Sequence, residues 1–175
     1  MTQQSQHVEV TKAIDMYLRA NNEFDDVALT PDRRHYQSWY ARFLSTVSLL
    51  IAGEEVVYAY SNVAYGATAA TFAVFTTNLV IVADIDFDAD GTPVARAVGR
   101  DALKAMKLSA SERIDAREGR SFEWPGTLNL VLTYDSLIEP IEIVISGANP
   151  YAVEQASPIV ALIESLSADL GSRGA

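Results

Sequence analysis

The chain has 175 residues, 49% of them hydrophobic, which suits one packed domain with room for an extension and excludes general disorder. Its 23 acidic side chains outnumber 13 basic ones, and a net charge of −10 repels phosphate backbones and anionic bilayers, so nucleic acid is not an expected partner. There is no cysteine, hence no disulfide framework and no thiolate chemistry, and a cytoplasmic location is expected.

The opening MTQQSQHVEV has neither the basic start nor the apolar stretch of a secretory signal. It leads into an amphipathic helix with Val10, Ile14, Tyr17 and Leu18 on one face and Asn21-Asn22 as its stop. A linker over 23–29 follows. A second helix then opens at Thr30-Pro31-Asp32, where a capping hydroxyl, a proline at the first helical position and a first-turn carboxylate coincide. Its stripe is Tyr36, Tyr40, Phe43, Val47, Leu50 and Ile51, flanked by Trp39 and Leu44, and Gly53 ends it. Such a stripe either packs on a sheet or the first helix, or forms a dimer interface anchored by its aromatics. The most apolar run, 43–52, is too short to span a bilayer.

From Glu54 the pattern changes to strands: 56–60, 71–76 and 79–87, the last two joined by a turn at Thr77-Asn78. Asp90-Gly91 marks a hairpin into 93–98. A two-residue turn there sets Asp84 opposite Ala97, whereas a three-residue turn sets it opposite Arg96, and the charge pair favours the second. Residues 100–114 can hold a strand over 105–110 or a helical turn from Asp101. A polar loop, 115–123, then reaches Trp124-Pro125-Gly126.

Two clean alternating strands follow, 127–133 and 141–146. Leu128, Leu130 and Leu132 share one face, as do Ile141, Ile143 and Ile145, while Asn129, Val131, Glu142 and Val144 share the other. This is an antiparallel sheet with one buried and one wetter face. Helical structure opens at Asn149-Pro150 with the stripe Val153, Ala156, Val160, Ile163, Leu166 and Leu170, ended by Gly171. Pro158 lies within that span, so Ser157-Pro158 is an alternative start.

A block of about four strands, a block of about three and a closing helix resemble the pleckstrin-homology-like barrel in its bacterial branch. The resemblance rests on Glu54-Glu55-Val56-Val57 after a helix, on 74–82 (VFTTNLVIV), on 127–132 and on the helix 158–170. It implies, over 54–171, a seven-stranded antiparallel barrel or sandwich capped by the C-terminal helix; the two N-terminal helices (1–53) lie outside the resemblance, the whole is expected to be α+β, and 172–175 to be a short disordered tail. It also implies a binding role, toward phosphoinositide headgroups or toward proteins and copies of itself. Headgroup binding in that family draws on basic residues around the first hairpin loop, which here is 61–70 (SNVAYGATAA) and carries no charge. Phosphoinositide binding is therefore disfavoured.

The remaining candidates are few. Asp84, Asp86, Asp88 and Asp90 precede Gly91, and Asp86–Gly91 matches the opening of a calcium loop. The match stops at Pro93, in the eighth position, and at Ala97, where a bidentate glutamate is required; a wet strand face beside an Asp-Gly turn accounts for the same residues. Residues 96–120 hold seven bases against four acids, so Arg113, Arg117 and Arg120 form either a solvated face or a docking patch for an acidic partner, another copy included. Val63 and Tyr65 in the first hairpin loop, with Trp124, are candidate contacts for a small molecule or lipid at the barrel mouth. The two histidines, His7 and His35, have no ligand spacing, and no nucleophile elbow or phosphate loop occurs. The expectation is a non-catalytic interaction module, needing no cofactor, that binds protein or self-associates; a small-molecule or lipid binder is the alternative, and an enzyme built on paired carboxylates the third reading.

Overall fold

The structure, a computed structural model, describes residues 3–19, 24, 28, 37–51, 53–63, 66–111, 127–145 and 152–171. The chain forms two compact units, Met1–Gly99 and Arg100–Ala175.

In the first unit, helices α1 (Gln3–Arg19) and α2 (Ser38–Ile51) accompany four antiparallel strands. These are β1 (Val56–Ser61), β2 (Ala69–Thr76), β3 (Leu79–Asp86) and β4 (Val94–Gly99), paired in chain order. Helix α1 buries Val10, Ile14 and Leu18, spaced one helical turn apart as its sequence pattern requires. Asp15 ties it to α2, accepting from the Tyr40 hydroxyl (2.8 Å) and from Arg19 Nε (2.8 Å). Helix α2 begins at Ser38, not at Thr30. The Gln37 N–H is drawn off to the Ala28 carbonyl (2.8 Å), while its own carbonyl accepts from Tyr40 and Ala41, so Gln37 stands outside the helix. The proposed cap Thr30-Pro31-Asp32 lies outside the described residues.

Register sets Ser61, Phe72, Ala83 and Ala95 in one row and Ala59, Val74, Ile81 and Ala97 in another, both facing the same way. Phe72, Val74 and Ile81 from these rows share a core with Tyr40, Phe43, Val47 and Ile51 of α2. Phe72 is its centre, with ring centroids 4.4 Å from Phe43, 5.9 Å from Trp39 and 6.2 Å from Phe24. Burying each such side chain contributes about 1.5–3 kcal/mol. The opposite face carries the row Tyr58, Phe75, Val80 and Val98 and is apolar as well.

The β2–β3 turn at Thr77-Asn78 occurs where the sequence places it. The Thr76 hydroxyl donates to the Glu54 carboxylate and accepts from Leu79 N–H (2.8 Å), and Glu54 also accepts from Asn78 N–H (3.0 Å). These bonds hold the Glu54 carboxyl below its ordinary range, the Thr76 hydroxyl being the main cause. The β3–β4 register differs from both alternatives: Asp84 lies opposite Val94, and Arg96 opposite Val82. A wider loop over 87–93 causes the shift. The Asp84–Arg96 ion pair still forms, diagonally, at 2.8 Å.

The second unit opens with a 3-10 turn, Arg100–Ala102, followed by β5 (Leu103–Ala110), β6 (Leu128–Tyr134) and β7 (Ile141–Ile145) in an antiparallel sheet of that order. Both features expected of residues 100–110 are thus present, in succession. The alternating strands behave as their pattern dictates: Leu128, Leu130, Leu132, Ile141 and Ile143 are buried, and Asn129, Val131, Glu142 and Val144 are more open. Helix α3 (Ala152–Gly171) runs through Pro158 rather than starting there. The expected start Asn149-Pro150 lies outside the described residues. Its buried line is Ile159, Leu162 and Leu166, with Asp169 half-buried beyond it; Leu166 belongs to the expected stripe, while Val160, Ile163 and Leu170 lie half-buried at the edge of this line. Arg100 packs against the helix near its end. Its guanidinium, almost wholly buried, meets Asp169 Oδ2 through Nε (3.0 Å) and Nη2 (2.7 Å) and Ser165 Oγ through Nη2 (2.6 Å).

The fold is α+β, and its seven strands pair as antiparallel sheets of four and three; no pairing among the described residues joins them into a single closed barrel. The 3-10 turn after Gly99 interrupts the chain of hairpins and β5 begins a new sheet. Among the described residues no helix is long and apolar enough to cross a membrane.

Candidate functional site

One open cleft lies within the first unit, where three segments distant in sequence meet. Gln37, Ser38 and Trp39 come from the start of α2, Gly66 and Ala67 from the β1–β2 loop, and Phe87, Asp90 and Gly91 from the β3–β4 loop. Its volume is about 350 Å³. Each wall has a local cause. The Asp86 carboxylate accepts from the N–H groups of Asp88 (2.9 Å) and Ala89 (3.2 Å), the Asx turn that aspartate favours, and its carbonyl accepts from Gly91 N–H (3.0 Å). This widens the β3–β4 connection and turns Phe87 toward the helix. Phe87 N–H donates to the Thr68 carbonyl (2.8 Å), fastening the β1–β2 loop alongside.

Trp39 and Phe87 are both half-buried and meet edge to face, centroids 5.1 Å apart at 63°. Trp39 is anchored behind by Tyr40 (5.4 Å) and Phe72, so its ring cannot swing away from the cleft. Gly91 adopts φ +63°, and a Cβ built on it would lie 2.9 Å from Trp39 Cβ. Arg42 of α2 donates to the Asp90 carbonyl oxygen and clamps the loop from the other side. The Asp90 carboxylate, exposed, accepts from Thr92 N–H (2.8 Å). Its pKa is held below the usual aspartate range, first by the Thr92 side chain, then by that N–H, and further by the nearby Arg42 charge.

No protein-family model matches the chain, and no curated protein matches it. A solved structure, a DUF1696 family protein with a pleckstrin-homology domain from Shewanella loihica PV-4, aligns over 72% of this chain and 92% of its own, with 11% identity and a TM-score of 0.40.

Of the residues singled out in the sequence, Trp39 and Asp90 meet at the cleft. Tyr40 and Phe43 are fully buried in the helix–sheet core. Val63, expected at an open loop tip, is 4% exposed and belongs to the same core; the strand-end turn folds it inward. Asp86, Asp88 and Asp90 do not converge on a common point, because the carboxylates of Asp86 and Asp90 are turned onto backbone N–H groups of their own loop. Among the described residues no cluster of three or more histidine or carboxylate groups could hold a metal ion. Tyr36, Tyr65, Arg113, Arg117, Arg120 and Trp124 lie outside the described residues. Sequence reasoning missed Phe87, Gly91 and Ala67 as partners. Phe87 offered one signal, a lone aromatic between Asp86 and Asp88 in an otherwise acidic turn.

Proposed function

We propose that this chain is a non-catalytic, cytoplasmic protein-interaction module whose contact site is the cleft between α2 and the β1–β2 and β3–β4 loops. The observation that carries the reading is the pair Trp39 and Phe87, large aromatics kept half-open at the cleft by a rigid surround. Half-exposed aromatics in a fixed pocket are the side chains that anchor protein contacts at low entropic cost. The acid–base equipment of an enzyme does not accompany them: the one titratable lining residue, Asp90, is an exposed carboxylate held in its charged form.

The test is photo-crosslinking in the cell of origin, with benzoylphenylalanine encoded at Ala67 on the cleft rim and, as control, at exposed Glu139 in the second unit. Adducts from position 67 well above those from position 139 support the reading. An adduct of twice the chain mass identifies the partner as another copy, and a different mass identifies a second protein. Equal, background yields at both positions overturn it.

A further inference from the structure

Resting on that reading, we infer that the cleft receives a single cationic side chain, lysine or arginine, presented by an extended segment of the partner. Size is the first consideration. A volume of about 350 Å³ stands at the lower end for ligand pockets and suits one long side chain rather than a folded element or a cofactor. The walls come next. Trp39 and Phe87 offer aromatic surface to a stem or a flat guanidinium, and an aromatic face attracts a cation through its quadrupole, tryptophan most of all. The third element is a counter-charge. Asp90 lines the same space, and the carboxylates of its loop, Asp86, Asp88 and Asp90, none in an ion pair among the described residues, outnumber the one guanidinium beside them, Arg42, so the loop is net acidic. An anionic occupant meets net repulsion there, and a purely apolar one gains nothing from the loop's charge. A cation satisfies both the rings and the carboxylate, and a chain of charge −10 draws basic segments from a distance.

The experiment titrates Nα-acetyl-arginine amide and its neutral isostere, Nα-acetyl-citrulline amide, into the full chain and follows the Trp39 indole N–H by NMR, assigned with a Trp124→Phe variant. The expected result is a saturable Trp39 shift with an affinity at least about tenfold greater for the arginine compound. That preference should disappear in Asp90→Asn, an exposed site where the fold is not at risk, and in Phe87→Leu, which keeps the apolar wall and removes the ring. Because Thr92 holds the Asp90 carboxyl low, binding should persist below the ordinary aspartate range and be lost only on further acidification.

Equal affinity for the two compounds overturns the cationic chemistry while leaving the interaction module standing. A response seen only after Arg33→Ala and Arg34→Ala shows that the chain's own arginine fills the cleft, which overturns a partner-supplied cation. No response in either background, with crosslinks from position 67 intact, refutes the cation alone; loss of both refutes the module as well.

Discussion

The contact between Arg100 and Asp169 makes a prediction whose sign depends on which partner is removed. Arg100 is 5% exposed in its side chain and Asp169 is 31% exposed. Asp169→Ala strips the carboxylate from a cation that water hardly reaches, the situation in which losing one partner of a buried pair costs about 3–5 kcal/mol. Ser165 Oγ still accepts from Nη2, which draws the cost to the lower end. A carboxylate in the last turn of α3 also opposes the helix dipole, so its removal returns about 0.5 kcal/mol. The net expectation is a loss of about 2–3 kcal/mol. Arg100→Met fills a similar volume and leaves Asp169, which is already partly hydrated, so its cost should be about 1 kcal/mol or less. In urea, with a slope of about 2 kcal/mol per molar, Asp169→Ala should lower the unfolding midpoint by about 1–1.5 M, and Arg100→Met by less than half of that. If Arg100→Met proves as costly as Asp169→Ala, burial of the cation is not what makes this contact matter.

Three further outcomes are expected. Phe72→Ala, which empties the space between Phe43, Trp39 and Phe24, should destabilise the chain by about 3–5 kcal/mol in the same denaturation assay. Thr76→Val removes the main cause of the lowered Glu54 pKa; the stabilisation that the lowered pKa reflects is present above the ordinary glutamate range and is lost as pH falls through the folded value. The gap in melting temperature between wild type and Thr76→Val should therefore be widest near neutrality and close on acidification. The Tyr134 hydroxyl is buried without a hydrogen-bond partner among the described residues, so Tyr134→Phe should leave the melting temperature unchanged or raise it slightly, whereas a clear fall would reveal a bond to that oxygen.

Local signals were strong where one face of an element meets one kind of environment. Leu128, Leu130, Leu132, Ile141 and Ile143 are buried in the alternation their sequence spells out, and Val10, Ile14 and Leu18 form the expected helical line. Reading failed where a polar contact over long sequence separation decides the geometry. Asp169 of α3 pairs with Arg100, 69 residues before it, and no window centred on the helix contains that partner. The start of α2 at Ser38 coincides with the Gln37 to Ala28 bond, a contact outside the helix that no propensity pattern within it announces. The β3–β4 register turned on the Asp86 side chain, which enlarges a loop that Asp-Gly alone would have made short. The cleft was the least legible, since it draws on residues near 39, 67 and 87–91, and only the folded sheet brings them together.

Gly91 gives the cleft a gauge. The loop rests against Trp39 where a side chain is missing, and the opposing atom is a Cβ, which no rotamer change can move aside. The spacing between the two aromatic walls is therefore written into the backbone, and it cannot be retuned by small adjustments at residue 91. Any substituent there acts as a wedge, prising the loop from the helix and widening the opening while leaving the core behind Trp39 intact. Variation that preserves the opening is confined to the loop's outer turn, Asp88 and Ala89, which are exposed. A substitution at Gly91 is expected to change the shape of the opening before it disturbs the core.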